Sequence, residues 1–455
     1  PTYIKELMGG GNIYHFSYYG YLRPDILIGA LLIHIDMQTI IIAYSVLMMT
    51  LSVLCCYIFL RQHTKDENIC IFVSLLVLLS SIFFHSHKQI MFVNYMPFLF
   101  LALISIEKKN FVAFTLCGSL IVLHSYFYCI GCFIVCFIYL LYRHPGEWKK
   151  LFVSYILIVL LTAILTIPTL LVILSNGKSG ASTQLASLFI PSLNLKGLLY
   201  SEYGCGLTYI SYILLVLALS DKQLQKLSAV CLVSFYSPFV WFIMNGFLYA
   251  RSKIMLVFIP LVAYIMCMML VKIKEGNIKL SKYSLVLLII PVFFIKYPLS
   301  ALIDCLFVIL LLLQKRKNLI YAYLVIPMLV VSYTNCPSSF YQPKKYEKNV
   351  SQLVRRNKIV TAADLTTRQN VNQTYGNRIK RVSGYTSTNN KYYNTFLFDT
   401  LRIPIPTNNR VAQNDTDNIF YLRALGIDTV ISKRQAPYGY SLKNQAKKIK
   451  LYQSN

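Results

Sequence analysis

The sequence predicts an α-helical polytopic membrane protein of about twelve visible spans, followed by a small extracytoplasmic α+β domain. Three observations predict this. The 455 residues are 56% apolar and 13% charged, where soluble domains carry about a quarter charged residues, and mean hydropathy is +0.56. Apolar runs recur from about residue 39 to about 333, and several are uncharged for 18 or more residues, enough to cross a hydrocarbon core of roughly 30 Å as a helix. Beyond "TNCPSSFYQPKK" these runs stop, and short apolar strings alternate with polar and turn-forming residues.

Residues 1–38 read as an extracytoplasmic loop with an interfacial segment. The chain opens on Pro1, and "PTYIKELMGGGNIY" has neither a basic nor an apolar leader region. An N-terminal span is therefore expected upstream.

The transmembrane domain, 39–333, has expected spans near 39–60, 69–84, 91–106, 111–124, 126–142, 151–174, 208–220, 227–244, 254–271, 283–296, 300–314 and 318–333. Every second connecting loop is basic. "RQHTKDEN", "EKKN", "RHPGEWKK", "DKQLQK", "KIKEGNIKLSK" and "QKRKN" carry sixteen Lys and Arg together. Lys and Arg collect on the cytoplasmic side, so residues 85–90, 175–207, 245–253 and the tail fall outside.

The tail, 334–455, has twenty Lys and Arg against six acids. "YLRALGIDTVIS" reads as a helix, a Gly turn and a strand, while "TRQNVNQTYGNRI" is polar enough for disorder to rival folding there. A cationic outer surface is either simply solvated or lies on anionic headgroups or an anionic wall polymer. Nucleic acid is excluded as a partner, because an outward-facing tail does not meet it.

Most of the twelve cysteines sit inside apolar runs, where Cys acts as a small hydrophobe. "CIGC" with Cys136 marks one helix face rather than a metal or redox site, and a bridge between Cys205 and Cys336 stays open.

Acids are scarce toward the outer side, and an ionisable group at membrane depth costs roughly 2.5–3.5 kcal/mol on insertion scales. Glu6, Asp25, Asp36, Glu202 and Asp304 are the main ones, with Glu6 and Asp25 weighing less because a wet loop is cheap. Asp36 opens a span, so helix capping and a functional carboxylate are both open for it. Glu202 lies in a long amphipathic loop and is a candidate acid or base by position alone. Arg251 and Lys253 begin a span and can either snorkel to headgroups or clamp a phosphate. "HSHKQ" adds His85, His87, Lys88 and Gln89 at another outer turn, a set better suited to an anion than to a metal, since His-x-His lacks a third ligand. His124 and Tyr126 add polar groups at similar depth.

"GGGNIYHFSYYGYLRPDILIGALLIHIDMQT", "FFHSHKQIMFVNYMPFLFLALISIEKK", "SGYTSTNNKYYNTF" and "LRALGIDTVIS", in this order, resemble the YfhO family of bacterial multi-pass membrane proteins. The resemblance implies a C-type (GT-C-like) glycosyltransferase fold. It also implies transfer of a sugar from an undecaprenyl-phosphate carrier to an anionic cell-surface polymer such as lipoteichoic acid. In such enzymes the catalytic acid sits in the first external loop, expected here upstream of Pro1, so Glu202 and Asp36 stand as weak substitutes. Donor-phosphate binding falls to Arg251 and Lys253 first, then to His85, His87 and Lys88. No metal site is expected, and a divalent cation is the one cofactor left open. A transporter or flippase of a lipid-linked sugar is the alternative, although no internal repeat of the kind many transporters carry is visible.

Overall fold

The computed structural model describes residues 22–79, 93–176, 185–193, 198–200, 207–276, 297–313, 390–404 and 415–455, with shorter pieces between them. The chain divides into two compact units. One comprises Tyr19–Thr166 and Thr183–Ser338, and the other Pro1–Tyr18, Ile167–Ser182 and Ser339–Asn455.

The larger unit is helical. Helix α1 (Pro24–Leu31) is followed by α2 (Met37–Arg61), where the Asp36 carboxylate accepts the Gln38 backbone N–H at 3.1 Å. That bond satisfies one of the orphan donors of the first turn. Asp66 caps α3 (Glu67–Leu78) in the same way, and Asn110 caps α5 (Phe111–His124). Between α4 (Met96–Glu107) and α5 the chain reverses through Lys109, whose φ of 53° closes the hairpin in the left-handed region. Helix α5 also approaches α7 (Trp148–Leu161) closely at Gly118, where an added Cβ would lie 2.3 Å from Ile158 Cδ1.

Three helices are long and apolar enough to cross a membrane: α2, α6 (Tyr126–Arg143) and the continuous Ser252–Lys274 helix. About twelve spans are expected from the sequence, and the described residues carry three, or five if each of two bent pairs is one span. Several expected spans are apolar helices of only 10–17 residues. The span expected at 283–296 lies almost wholly outside the described residues, as does most of 318–333. Two spans expected to be continuous are broken. Helix α7 and α8 (Ala163–Asn176) meet at 82° around Thr162, and α10 (Gln225–Tyr236) and α11 (Pro238–Met244) meet at 92°. At the second break Ser237 accepts the Val240 N–H and Pro238 takes the first helical position, so a new helix starts there.

The Ser252–Lys274 helix is central. It begins as a 3-10 turn, Ser252–Phe258, and continues as α12 (Ile259–Lys274). Of its most apolar window 89% is buried, against 33% for α2. At its C-terminal end Lys272 pairs with Asp221, and Lys274 with Asp66. Nearby, the Tyr139 hydroxyl donates to Glu107 Oε2 at 2.9 Å and faces His63 Nε2 at 3.1 Å, while Arg143 grips both Glu107 oxygens at 3.0 and 2.5 Å. Tyr142 donates to the Gln223 carbonyl at 3.3 Å, and the Tyr264 ring sits 4.8 Å from that of His63. The five loops around 61–67, 107–110, 143–150, 221–226 and 272–275 are thus knitted into one network.

In the smaller unit, β1 (Tyr3–Ile4) pairs with β2 (Gly11–Asn12), and β4 (Gly384–Tyr385) pairs with β5 (Ala412–Gln413). A four-stranded sheet has the order β3 (Ala363–Asp364), β6 (Thr429–Ser432), β8 (Ile449–Ser454), β7 (Tyr440–Ala446), parallel only between β3 and β6. "YLRALGIDTVIS" forms the end of the helix Ile419–Ala424, a turn with Gly426 at φ 60°, and β6. Both faces of the sheet are covered. Val430 and Tyr452 pack with Tyr393, Leu397 and Tyr421, whereas Ile431, Ile449 and Leu451 pack with Val350 and Leu353. This is the two-residue alternation of a strand serving two cores. All of "TRQNVNQTYGNRI" lies outside the described residues, as do Cys205 and Cys336.

Candidate functional site

The end of the central helix opposite Lys272 and Lys274 carries the other cation pair. Helix α11 ends at Asn245, which donates through Nδ2 to the Trp241 carbonyl at 2.9 Å and to the Arg251 carbonyl at 3.5 Å. Gly246 supplies the φ of 64° that turns the chain away. The return brings Tyr249, Arg251 and Lys253 together. The Arg251 guanidinium lies 5.6 Å from the Tyr249 ring centroid, and Lys253 Nζ lies 4.4 Å from that of Phe127 and 5.6 Å from that of Tyr249. Phe127 and Tyr249 stack at 6.2 Å, so two rings hold two like charges side by side. Each ring face attracts a cation by roughly 0.5–2 kcal/mol, depending on desolvation. Arg251 is exposed and makes no ion pair among the described residues.

Helix α6 anchors this turn, since the Tyr128 hydroxyl donates to the Lys253 carbonyl at 3.4 Å and its ring stacks on Tyr95 at 5.2 Å. Beside Tyr95, the Asn94 Oδ1 accepts from Ser45 at 3.2 Å. One residue before Ser45, the Tyr44 hydroxyl meets His124 Nε2 at 2.8 Å, and His124 Nδ1 meets the Leu120 carbonyl at 2.7 Å. A carbonyl only accepts, so Nδ1 carries the imidazole proton and Nε2 accepts from Tyr44. The Phe98 ring packs on His124 at 4.8 Å.

Asp25 and Arg23 lie close enough for their charges to act on both Tyr44 and His124. Asp25 is fully buried and bound twice by Arg23, at 2.9 and 2.5 Å. Reasoning from sequence gave Asp25 little weight because a loop position is cheap for an acid. The signal available was the Arg two residues earlier in "RPD".

Asp304 is buried and saturated. Its Oδ2 accepts from Tyr200 at 2.5 Å and from the Ile210 N–H at 2.9 Å, and its Oδ1 accepts from Tyr323. It ties Tyr200 and the Ile210 backbone to the helix α13 (Pro298–Leu313).

Of the residues singled out from sequence, Arg251 and Lys253 come together on shared rings. Asp36 is exposed, and one of its two oxygens is engaged as the cap of α2. His85, His87, Lys88, Gln89, Glu6 and Glu202 lie outside the described residues. Among the described residues no group of three or more His, Cys, Asp or Glu is placed to hold a metal ion. No protein-family model matches the chain, and no curated protein matches it.

Proposed function

We propose that this chain is a membrane glycosyltransferase of the C-type fold with about twelve spans. It transfers a sugar from an undecaprenyl-phosphate donor to an anionic cell-surface polymer on the outer face of a bacterial plasma membrane. One observation carries the proposal. The central helix bears two cation pairs with opposite fates, Lys272 and Lys274 neutralised by Asp221 and Asp66, and Arg251 and Lys253 held on aromatic rings. Arg251, which makes no ion pair among the described residues, presents the planar fork of donors that suits a phosphate.

In this reading a carboxylate takes the proton of an acceptor hydroxyl whose oxygen attacks the anomeric carbon, the bond from that carbon to the phosphate oxygen breaks, and the lipid phosphate leaves as an anion. Arg251 and Lys253 stabilise the charge that grows on that phosphate. The buried His124, Arg23 and Asp25 and the half-buried Tyr44 line the same end and support an environment into which a polar group can be drawn with little bulk water. The basic tail supports an anionic polymer as acceptor.

The test is reconstitution of the full chain in vesicles with undecaprenyl-phosphate-glucose and lipoteichoic acid, following sugar incorporation with and without Arg251→Ala. Incorporation that falls at least tenfold in the variant is expected. Movement of the donor across the bilayer without incorporation refutes transfer and leaves the transporter reading.

A further inference from the structure

The last strands of the smaller unit gather cations at one end of their sheet. Residues 429–455 hold six Lys and Arg and no Asp or Glu. The strand register says where these charges fall. Ser432, Lys450 and Gln445 form one row across β6, β8 and β7, and neighbouring strands lie about 4.8 Å apart. Arg434 follows β6 two residues beyond this row. Lys447 and Lys448 make the two-residue turn that joins β7 to β8 just past it. Arg434, Lys447, Lys448 and Lys450 therefore meet at the same end of the sheet, across a width of about 10 Å. The first three are exposed and Lys450 is half-buried, and none of the four makes an ion pair among the described residues. On the neighbouring strand β3, Asp364 is buried and its Oδ1 accepts from the Thr366 N–H and hydroxyl. Lys443 is set apart, because it sits in the bulge of the edge strand β7, where a lysine also guards against strand pairing.

Two features distinguish this end from an ordinary solvated surface. Lys447 holds φ at 53°, in the left-handed region that Gly or Asn occupies at least cost. Gln445 steadies that conformation by donating through Nε2 to the Lys447 carbonyl at 2.7 Å. A turn selected for stability alone would carry Gly or Asn there, so a cation is kept at the tip against local preference. The second feature is what the cations lack. The large exposed apolar side chains of these strands lie toward the other end, Leu442 opposite Tyr452 and Tyr438 two residues before Tyr440, which pairs with Ser454. Ile449 and Leu451, beside the cations in sequence, are buried.

That composition favours one kind of partner. Elements that enter a bilayer interface put Trp, Phe or Leu beside their Lys and Arg, whereas cations without apolar company suit phosphates carried on a hydrophilic chain. Resting on the transferase reading, we propose that this end of the sheet is the docking surface for the acceptor, a polymer whose repeating phosphodiesters lie across Arg434, Lys450, Lys447 and Lys448. Each exposed ion pair is weak singly. The hold therefore depends on several phosphates bound at once and weakens as salt is added.

The test titrates a fluorescent poly(glycerol phosphate) without a lipid anchor against the full chain in phosphatidylcholine nanodiscs. The double variant Lys447→Asn/Lys448→Gln should weaken binding by about three- to tenfold. Its melting temperature should stay level or rise, because Asn accepts the left-handed turn position. Lys391→Gln/Arg402→Gln removes the same charge from exposed positions on either side of the segment that packs Leu397 and Phe398 on the sheet, and should weaken binding less than twofold. Equal losses in the two double variants overturn the surface in favour of net charge alone, and no loss in the turn variant overturns it outright. Amine acetylation read by mass spectrometry supplies a second measure, in which the polymer should protect Lys447, Lys448 and Lys450. Protection of the same lysines by phosphatidylglycerol nanodiscs without polymer, and none by polymer, overturns it in favour of a lipid surface. Binding is read without donor, so polymer held at this patch by a chain that transfers no sugar refutes the transferase reading alone. Sugar transfer at the wild-type rate by the turn variant at limiting polymer overturns the docking surface alone.

Discussion

Replacing His63 by Gln should remove about 2 kcal/mol of the acid sensitivity of the larger unit. Tyr139 has one proton and gives it to Glu107, which only accepts, so His63 donates its Nε2 proton to the Tyr139 oxygen as a neutral ring. Burial pushes the His63 pKa down to about 4, against the pull of Glu107 in the opposite direction. The unfolded chain protonates this residue near pH 6.5. The folded-state value lies below the unfolded one, so stability is complete above pH 6.5 and falls as the pH drops toward 4. Between pH 7 and pH 5 this single group removes about 2 kcal/mol. Gln keeps a neutral donor at the position and cannot be protonated. Unfolding free energies from denaturant titration in detergent, at pH 7 and pH 5, should show an acid loss smaller by about 2 kcal/mol in His63→Gln than in wild type. Other titrating groups are common to both proteins and cancel. Equal acid losses would refute the claim that His63 is held neutral by burial.

Asp304→Ala strips the acceptor from two tyrosine hydroxyls and the Ile210 N–H, and should lower unfolding free energy by about 3–5 kcal/mol. Gly118→Ala drives a Cβ into Ile158, which is fully buried, so about 1–3 kcal/mol of stability should be lost in a thermal or denaturant melt. Asp36→Ala should cost about 1 kcal/mol through the lost cap. It should leave sugar incorporation in the reconstituted assay at the wild-type rate, whereas a drop of tenfold or more would place Asp36 in the catalytic set.

Helix positions were legible where an apolar run is bounded by polar residues, as at Phe111–His124 and Tyr126–Arg143. The breaks were not, because hydropathy is blind to direction. Residues 151–174 and 227–244 read as unbroken apolar runs, yet each turns by more than 80°. Ser-Pro at 237 and 238 was a readable restart signal. At the other break the Thr162 hydroxyl bonds the Ile158 carbonyl at 2.8 Å, a local competition with the helix ladder that composition does not reveal. Arg251 and Lys253 were visible as charges flanking an apolar run. Their shared rings, and the pairing of Tyr44 with His124 across 80 positions, depend on how helices pack and so leave no local mark. Ser125 was misleading for the opposite reason, since a serine before an apolar run looks like an ordinary cap, yet it makes no capping bond among the described residues.

The network joining His63, Glu107, Tyr139, Arg143 and the lysines of α12 also has a mechanical consequence. It binds the termini of four helices at one end, so those helices behave as rods with a shared pivot. Helix α2 has 25 residues and a length of about 37 Å at 1.5 Å per residue. A tilt of about 5° at the pivot would carry its opposite end, beyond the Tyr44–His124 and Ser45–Asn94 bonds, through about 3 Å, roughly the reach of one hydrogen bond. Small angular strain beside His63 is therefore converted into a full contact made or broken near Asp36, and the lever grows with every added turn of helix.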